Sequence, residues 1–297
     1  MKNDIELFIE YLEYERNYSK YTIINYETDL KLFFDFCMEN KINKTSKITF
    51  NDLRKYLKHL HNKKYSKTSI NRYISTLKSF FNYLKEKEII KENPTLLLSS
   101  IKKDKKIPKH FNYQDIEIIL SIPDINTPLG QRDSAILEIL YSTGIRVSEL
   151  ITIKLKDVEL TENRIKIMGK GSKERYVLYG NVCKEKMLRY VKDGRIKLLK
   201  NKKSDYLFLN YLGSNLTSRG IETILNNVIK KSSSKYHISP HMMRHTFATH
   251  MLNEGADLKT VGELLGHENL STTGIYTSVS NERLRSVYLN THPRAKE

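Results

Sequence analysis

The decisive stretch is Pro240-His241-Met242-Met243-Arg244-His245-Thr246-Phe247-Ala248-Thr249-His250. Pro240 suits the first turn of a helix, where its missing N–H costs nothing. His241 and Arg244 then lie three residues apart and project from one helix face. Histidine moves protons near neutral pH, and arginine stays charged and grips two oxygens of a phosphate at once. His241 and His245 also have the i, i+4 spacing of zinc-binding helices. However, Arg244 stands where a ligand set needs an acid, and a cation beside the site repels a metal. The pattern therefore predicts a metal-free helix that handles an anion.

Working outward, Gly144-Ile145-Arg146-Val147-Ser148-Glu149-Leu150 places a second arginine after a glycine. Gly266-His267 follows downstream, and Tyr276 stands nine residues beyond it. Between these, Arg164-Ile165-Lys166-Ile167-Met168 and Arg175-Tyr176-Val177-Leu178 alternate in polarity around Gly169-Lys170-Gly171-Ser172-Lys173-Glu174. Alternating runs on a glycine-bearing turn predict a β-hairpin. A further short strand is expected at Leu207-Phe208-Leu209. Taken singly, each of these residues has an ordinary reading, a tyrosine among 19 being packing and an arginine being surface.

The first hundred residues read as four amphipathic helices. Ile5, Phe8, Ile9 and Leu12 mark one, and Ile24, Leu30, Phe33 and Phe34 the next. Thr49 and Asp52 have capping-box spacing ahead of Leu53, Tyr56, Leu57 and Leu60. Ser66 precedes the stripe Ile70, Tyr73, Ile74, Leu77, Phe80, Phe81 and Leu84. Asn93-Pro94 ends this region, and residues 99–109 are basic, polar and closed by Pro108. The expected organisation is a helical bundle over 1–98, a linker over 99–109, and a mainly helical domain with a small β-hairpin over 110–297. Its last segment, 281–297, carries the short apolar stripe Leu284, Val287, Tyr288 and Leu289, which is expected to pack on its own domain.

Charge and composition narrow the function. The net charge is +17, and residues 41–110 carry 19 basic against 5 acidic side chains, whereas residues 1–40 carry 4 against 9. So concentrated a field calls for a polyanion. An α-helix fits the major groove of duplex DNA, and Lys63, Lys64, Lys67 and Arg72 sit where the third and fourth helices meet. Lys173 and Arg175 extend the basic character into the hairpin. The chain is 39% hydrophobic, enough for real cores. Its apolar runs fall far short of the roughly 20 residues a bilayer requires. Two cysteines, Cys37 and Cys183, exclude a disulfide framework or a multi-cysteine metal site. A cytoplasmic protein without a cofactor is expected.

Taken together, the ordered motifs Arg146, the Gly169–Arg175 turn, His241-x-x-Arg244, Gly266-His267 and Tyr276 resemble those of the tyrosine site-specific recombinases. The resemblance spans nearly the whole chain. Leu140–Leu150, Leu264–His267 and the ending Tyr288-Leu289-Asn290-Thr291-His292-Pro293-Arg294-Ala295 point to the Xer type. It implies a helical core-binding (SAM-like) domain and an α+β catalytic domain clamping duplex DNA. By matching position it implies the catalytic set Arg146, Lys170, His241, Arg244, His267 and Tyr276. Lys170 is preferred to Lys173 because the family's lysine lies between the two glycines, and His245 and His250 are left structural. Tyr276 would be the nucleophile, forming a 3′-phosphotyrosyl link. By the same resemblance, residues 281–297 would instead serve as a docking tail for a neighbouring subunit. Implied partners are a dif-like DNA site, further protomers or a paralogue in a tetramer, and a septal DNA translocase. The implied role is chromosome-dimer resolution. The alternatives are a phage or transposon integrase of the same chemistry, or a non-catalytic architectural DNA-binding protein.

Overall fold

The computed structural model describes residues 1–102, 110–169, 174–231, 238–266 and 278–295, with no side-chain description for 278–281. The chain divides into two compact units, Met1–Lys106 and Ile107–Glu297. Among the described residues no helix is long and apolar enough to cross a membrane.

The N-terminal unit is a bundle of α1 (Lys2–Glu10), α2 (Lys20–Glu39), α3 (Phe50–Asn62) and α4 (Lys67–Glu86). Local chemistry sets the helix starts. The Ser19 and Ser66 hydroxyls accept from the backbone N–H groups of Thr22 and Ser69 at 3.2 and 3.1 Å. At α3 the capping box is complete: Asp52 donates its N–H to Thr49 Oγ1 at 3.3 Å, and Thr49 donates its N–H to Asp52 Oδ2 at 3.0 Å. Inside, Phe8 packs edge-on to Phe80, with ring centroids 5.3 Å apart, and Phe33 on Tyr56 at 5.0 Å. On α2 the inward register falls on Ile23 rather than on the expected Ile24, which is exposed. The bundle also buries Asp29, which accepts from Thr76 Oγ1 at 2.9 Å and pairs with Arg72 at 2.6 Å.

The C-terminal unit is organised around α6 (Pro128–Thr143), a helix buried along almost its whole length. Pro128 opens it behind the Thr127 cap, and Gly144 closes it at φ +60°. A Cβ at 144 would lie 2.7 Å from side-chain atoms of Leu265 and Phe247, so both the turn and the packing require glycine. Around α6 are α5 (Tyr113–Ser121), α7 (Val147–Leu150), α8 (Asn181–Arg189), α9 (Arg195–Leu199), α10 (Ser218–Lys231), α11 (Pro240–Asn253), α12 (Leu258–Leu265) and α13 (Ser278–Thr291). Strands β2 (Arg164–Met168) and β3 (Glu174–Leu178) form the expected hairpin, with Ile165 opposite Val177. A third strand, β1 (Val158–Glu159), adds antiparallel to β2. At two residues it is too short to show alternation in the sequence. Residues 207–209 are buried but form no strand; Leu209 makes one isolated bridge to Asn215.

Of residues 281–297, expected as a docking tail, Tyr288, Thr291, His292 and Arg294 are buried in this unit. Tyr288 and His292 are 1% and 0% exposed. His292 stacks on Tyr288, with centroids 5.1 Å apart, and lies against Tyr141 and Phe247. Arg294 pairs with Glu117 at 2.7 Å and approaches the buried carboxylate of Glu138, which also holds Lys186 at 2.7 Å. Of the apolar stripe, Tyr288 is buried and Leu284 and Val287 are half-buried, whereas Leu289 is 45% exposed.

Burial, helped by the charges of His250 and Arg294, presses the His292 imidazole down to about 3, against the hydrogen bond to the Tyr141 carbonyl. In the unfolded chain it titrates near 6.5, so between those values the unfolded state binds the extra proton. Stability contributed by the neutral ring is complete above pH 6.5 and falls as pH drops, by up to about 1.4 kcal/mol per pH unit. Denaturant unfolding at pH 7.5 and 5.0 checks this. His292→Phe should be the less stable protein at pH 7.5 yet lose less between the two pH values than the parent. An equal loss would remove His292 as the origin.

Candidate active site

Helix α11 begins at Ser239, whose hydroxyl accepts the Met242 N–H at 3.2 Å. Met243, Phe247 and Met251 are buried on its inner face. His241 is exposed in the first turn, and Arg244 is half-buried three residues on. The Arg244 guanidinium donates to the Gly144 carbonyl at 2.6 Å and to the Leu265 carbonyl at 2.7 Å. It thereby ties the end of α6 to the end of α12.

Arg146 comes to the same place from the start of α7. Its Nη2 donates to the Gly266 carbonyl at 3.4 Å, its Nη1 to Glu149 Oε1 at 3.1 Å, and its backbone N–H to Glu149 Oε2 at 2.8 Å. Arg146 and Arg244 therefore rest on the consecutive carbonyls of Gly266 and Leu265. Carbonyls at a helix C-terminus carry the negative end of its dipole, which helps to gather cations there. Each guanidinium has five N–H donors, and these bonds occupy two side-chain donors in each. Among the described residues these are the side-chain hydrogen bonds of the two guanidiniums, and the remaining donors of each fork could take an anion.

Two guanidiniums, those of Arg146 and Arg175, pair with the Glu149 carboxylate, and the charges of all three act on Arg244. Burial pushes Arg244 down to about 10, and the neighbouring charges of Arg146 and Arg175 act the same way against Glu149. The group stays cationic at neutral pH. Burial alone would raise the Glu149 carboxyl. The hydrogen bonds from Arg175 and from the Arg146 backbone, with both positive charges, instead hold it below the ordinary carboxylate range. A surplus of fixed positive charge on preorganised side chains suits a phosphate that gains negative charge as it reacts.

Of the residues expected at the site, Arg146, Arg244 and His241 belong to this region. Lys170, Lys173, His267 and Tyr276 lie outside the described residues. Lys63, Lys64 and Lys67 are exposed around the turn from α3 to α4. Arg72 lies nearby on α4, its guanidinium paired with buried Asp29 and 5.0 Å from the Tyr73 ring centre. Arg175 is placed differently from its expected DNA-binding role. Its side chain is only 12% exposed and turns inward, donating to Glu149 Oε1 and Oε2 at 2.7 and 3.1 Å.

His245 faces His110 across 5.9 Å. His250 is buried, hydrogen-bonded through its two ring nitrogens to the Tyr141 hydroxyl and the Phe111 carbonyl, each at 2.9 Å. The buried bonds of His250 give it a structural place in this fold. The residue that sequence reasoning passed over is Glu149. Its signal was the acid three positions after Arg146, at capping-box spacing ahead of Leu150.

Comparison with known proteins agrees over both units. The phage integrase N-terminal SAM-like domain matches residues 5–88, and the phage integrase family matches residues 109–283. The tyrosine recombinase XerC of Bacillus licheniformis is 46% identical over 297 residues, covering 99% of this chain and 98% of that protein. XerC of Anoxybacillus flavithermus is 47% identical over 294 residues, covering 98% of each. Among solved structures, the XerH recombinase bound to palindromic difH substrate in a post-cleavage complex is 26% identical. It covers 92% of this chain and 81% of that one, with a TM-score of 0.67. With family matches over most of its length and near-full-length relatives at almost half identity, this chain belongs to the tyrosine site-specific recombinases, in their Xer branch, and is a DNA-recombining enzyme.

Proposed function

We propose that the chain exchanges strands at a dif-type site and so resolves chromosome dimers, four protomers acting on two sites. A paralogue supplies half of the protomers where the host has one, and a septal translocase controls the reaction. In support, relatives named XerC match across the whole chain, and the XerH relative is held on a dif-type duplex. The observation that carries the chemistry is the seating of Arg146 and Arg244 on consecutive carbonyls.

In the proposed reaction the Tyr276 phenol attacks the scissile phosphorus. Phenols ionise near pH 10, so a base or nearby positive charge must assist. His241 takes the proton. Arg146 and Arg244 offset the charge growing on the non-bridging oxygens, and His267 adds a hydrogen bond. The bond from phosphorus to the 5′ oxygen breaks, and Lys170 gives that oxygen its proton. One phosphoester replaces another, so rejoining is the same step reversed and consumes no ATP. Lys63, Lys64, Lys67, Arg72 and Lys173 grip the DNA backbone, a contact that weakens as salt rises.

The test is a plasmid carrying two directly repeated copies of the host's terminus-region site, incubated with this protein alone and with the host's other recombinase. Resolution into two circles, dependent on both copies of the site, is expected. Relaxation of site-free supercoiled plasmid at the same rate would indicate a topoisomerase instead. Retarded complexes without any covalent product would indicate an architectural protein.

A further inference from the structure

We propose that Arg175 is a positioning residue for strand cleavage, fixing the geometry of the phosphate-gripping arginines through Glu149 and the end of α12. The proposal rests on the reading of Arg146 and Arg244 given above. Arg175 is the second residue of β3, in a position that sequence alone makes a plausible DNA contact. Its guanidinium instead forms a fork on Glu149, at 2.7 and 3.1 Å, and its Nη2 also lies 3.4 Å from the Leu265 carbonyl.

Those acceptors are shared. Glu149 is the acid that holds both the backbone N–H and a side-chain N–H of Arg146. The Leu265 carbonyl is the one that Arg244 grips at 2.7 Å. Arg175 therefore touches the support of each arginine while standing behind them. The fit is close. A Cβ at residue 266 would lie 2.7 Å from Arg175 Cζ, and Gly266 sits at φ +67°, so the carbonyl receiving Arg146 is brought in against the Arg175 guanidinium.

Glu149 is 4% exposed. Without Arg175, the half-exposed Arg146 is the remaining ionic partner of this carboxylate among the described residues. Arg146 would then be drawn wholly onto the carboxylate and its fork turned from the phosphate. Bidentate geometry matters as much as charge here, because a guanidinium spans both carboxylate oxygens and an ammonium does not.

The experiment compares wild type, Arg175→Gln, Arg175→Lys and Arg146→Gln on a nicked duplex. Affinity is measured by gel shift and the rate of covalent adduct formation under single turnover. Each protein meets an ordinary scissile phosphodiester and a neutral methylphosphonate, which lacks the charge the arginines offset. R175Q should slow adduct formation on the phosphodiester about 100-fold, as a misplaced catalytic group does. Its affinity should stay within about threefold, since few phosphate contacts are lost. On the methylphosphonate the defect should shrink below about tenfold, because the interaction disturbed is with phosphate charge. R175K, keeping charge without the fork, should fall between R175Q and wild type.

Weaker binding by R175Q with an unchanged rate once bound would make Arg175 a simple DNA grip and overturn the proposal. So would equal slowing on both substrates, which a general structural defect produces. If R175Q does not melt cooperatively, R175K decides, and a wild-type rate from it overturns the proposal. R146Q run alongside separates the two readings. Should it cleave the phosphodiester as fast as wild type, the assignment of Arg146 is wrong and this proposal falls with it. If R146Q is slow while R175Q is normal, only the role of Arg175 fails.

Discussion

Tyr276→Phe is expected to abolish the covalent protein–DNA adduct while leaving DNA binding intact. The substitution removes one oxygen and keeps the ring, so packing changes little and chemistry changes completely. No other atom of that side chain can carry the phosphoryl group. The expected loss exceeds about 10⁴-fold, the scale on which nucleophilic side chains contribute to covalent catalysis. The measurement is a suicide substrate, a nicked dif-like duplex run on a denaturing gel after incubation in EDTA. Wild type should give a protein-sized adduct. Adduct of unchanged yield from Y276F would end the assignment.

Arg244 carries the second large effect. Removing one preorganised donor from a charge-stabilising site costs about 10²–10³ in rate, and a guanidinium on a transferring phosphoryl group about 10³–10⁵. Arg244→Gln should fall in that range on the same substrate. Arg244→Lys is the more telling variant. The pocket already pushes a guanidinium down to about 10 through burial and the positive charge of Arg146. Lysine starts near 10.4, and the same surroundings pull its ammonium toward neutrality. R244K should therefore lose activity as pH rises from about 7 to 9, whereas wild type keeps its charge there. Parallel pH profiles for the two proteins would contradict this account of the pocket.

Much of the fold was legible because periodicity and caps report directly on helices. Thr49 and Asp52 announced α3, Pro240 announced α11, and alternation on either side of the Gly169–Glu174 turn announced the hairpin. On α2 Leu30 and Phe33 are buried as expected, but the first inward residue is Ile23 instead of its apolar neighbour Ile24, a choice that only packing makes. The third strand was invisible at two residues. Within the site, the side chains proposed to meet phosphate were marked by residue type and order. The carbonyls of Gly144, Leu265 and Gly266 that aim them have no signature in sequence, since every residue carries one. Arg175 shows the same limit. A basic residue beside a turn looks like a surface contact until the fold places a buried carboxylate behind it.

The burial of Tyr288 and His292 against Tyr141 and Phe247 bears on the order in which this enzyme is made. His292 contacts the Tyr141 carbonyl across 151 positions, while His250 reaches back 139 to Phe111. The N-terminal bundle is a run of helices joined by short turns, and such local topology folds fast. The C-terminal unit instead waits for partners far downstream, and separations of this size slow folding. During synthesis the first unit can fold as it leaves the ribosome, while Tyr141 and Phe247 stay uncovered until residues 288–292 emerge. A half-made chain thus holds a finished bundle and an unfinished recombinase domain, whose core closes late in translation.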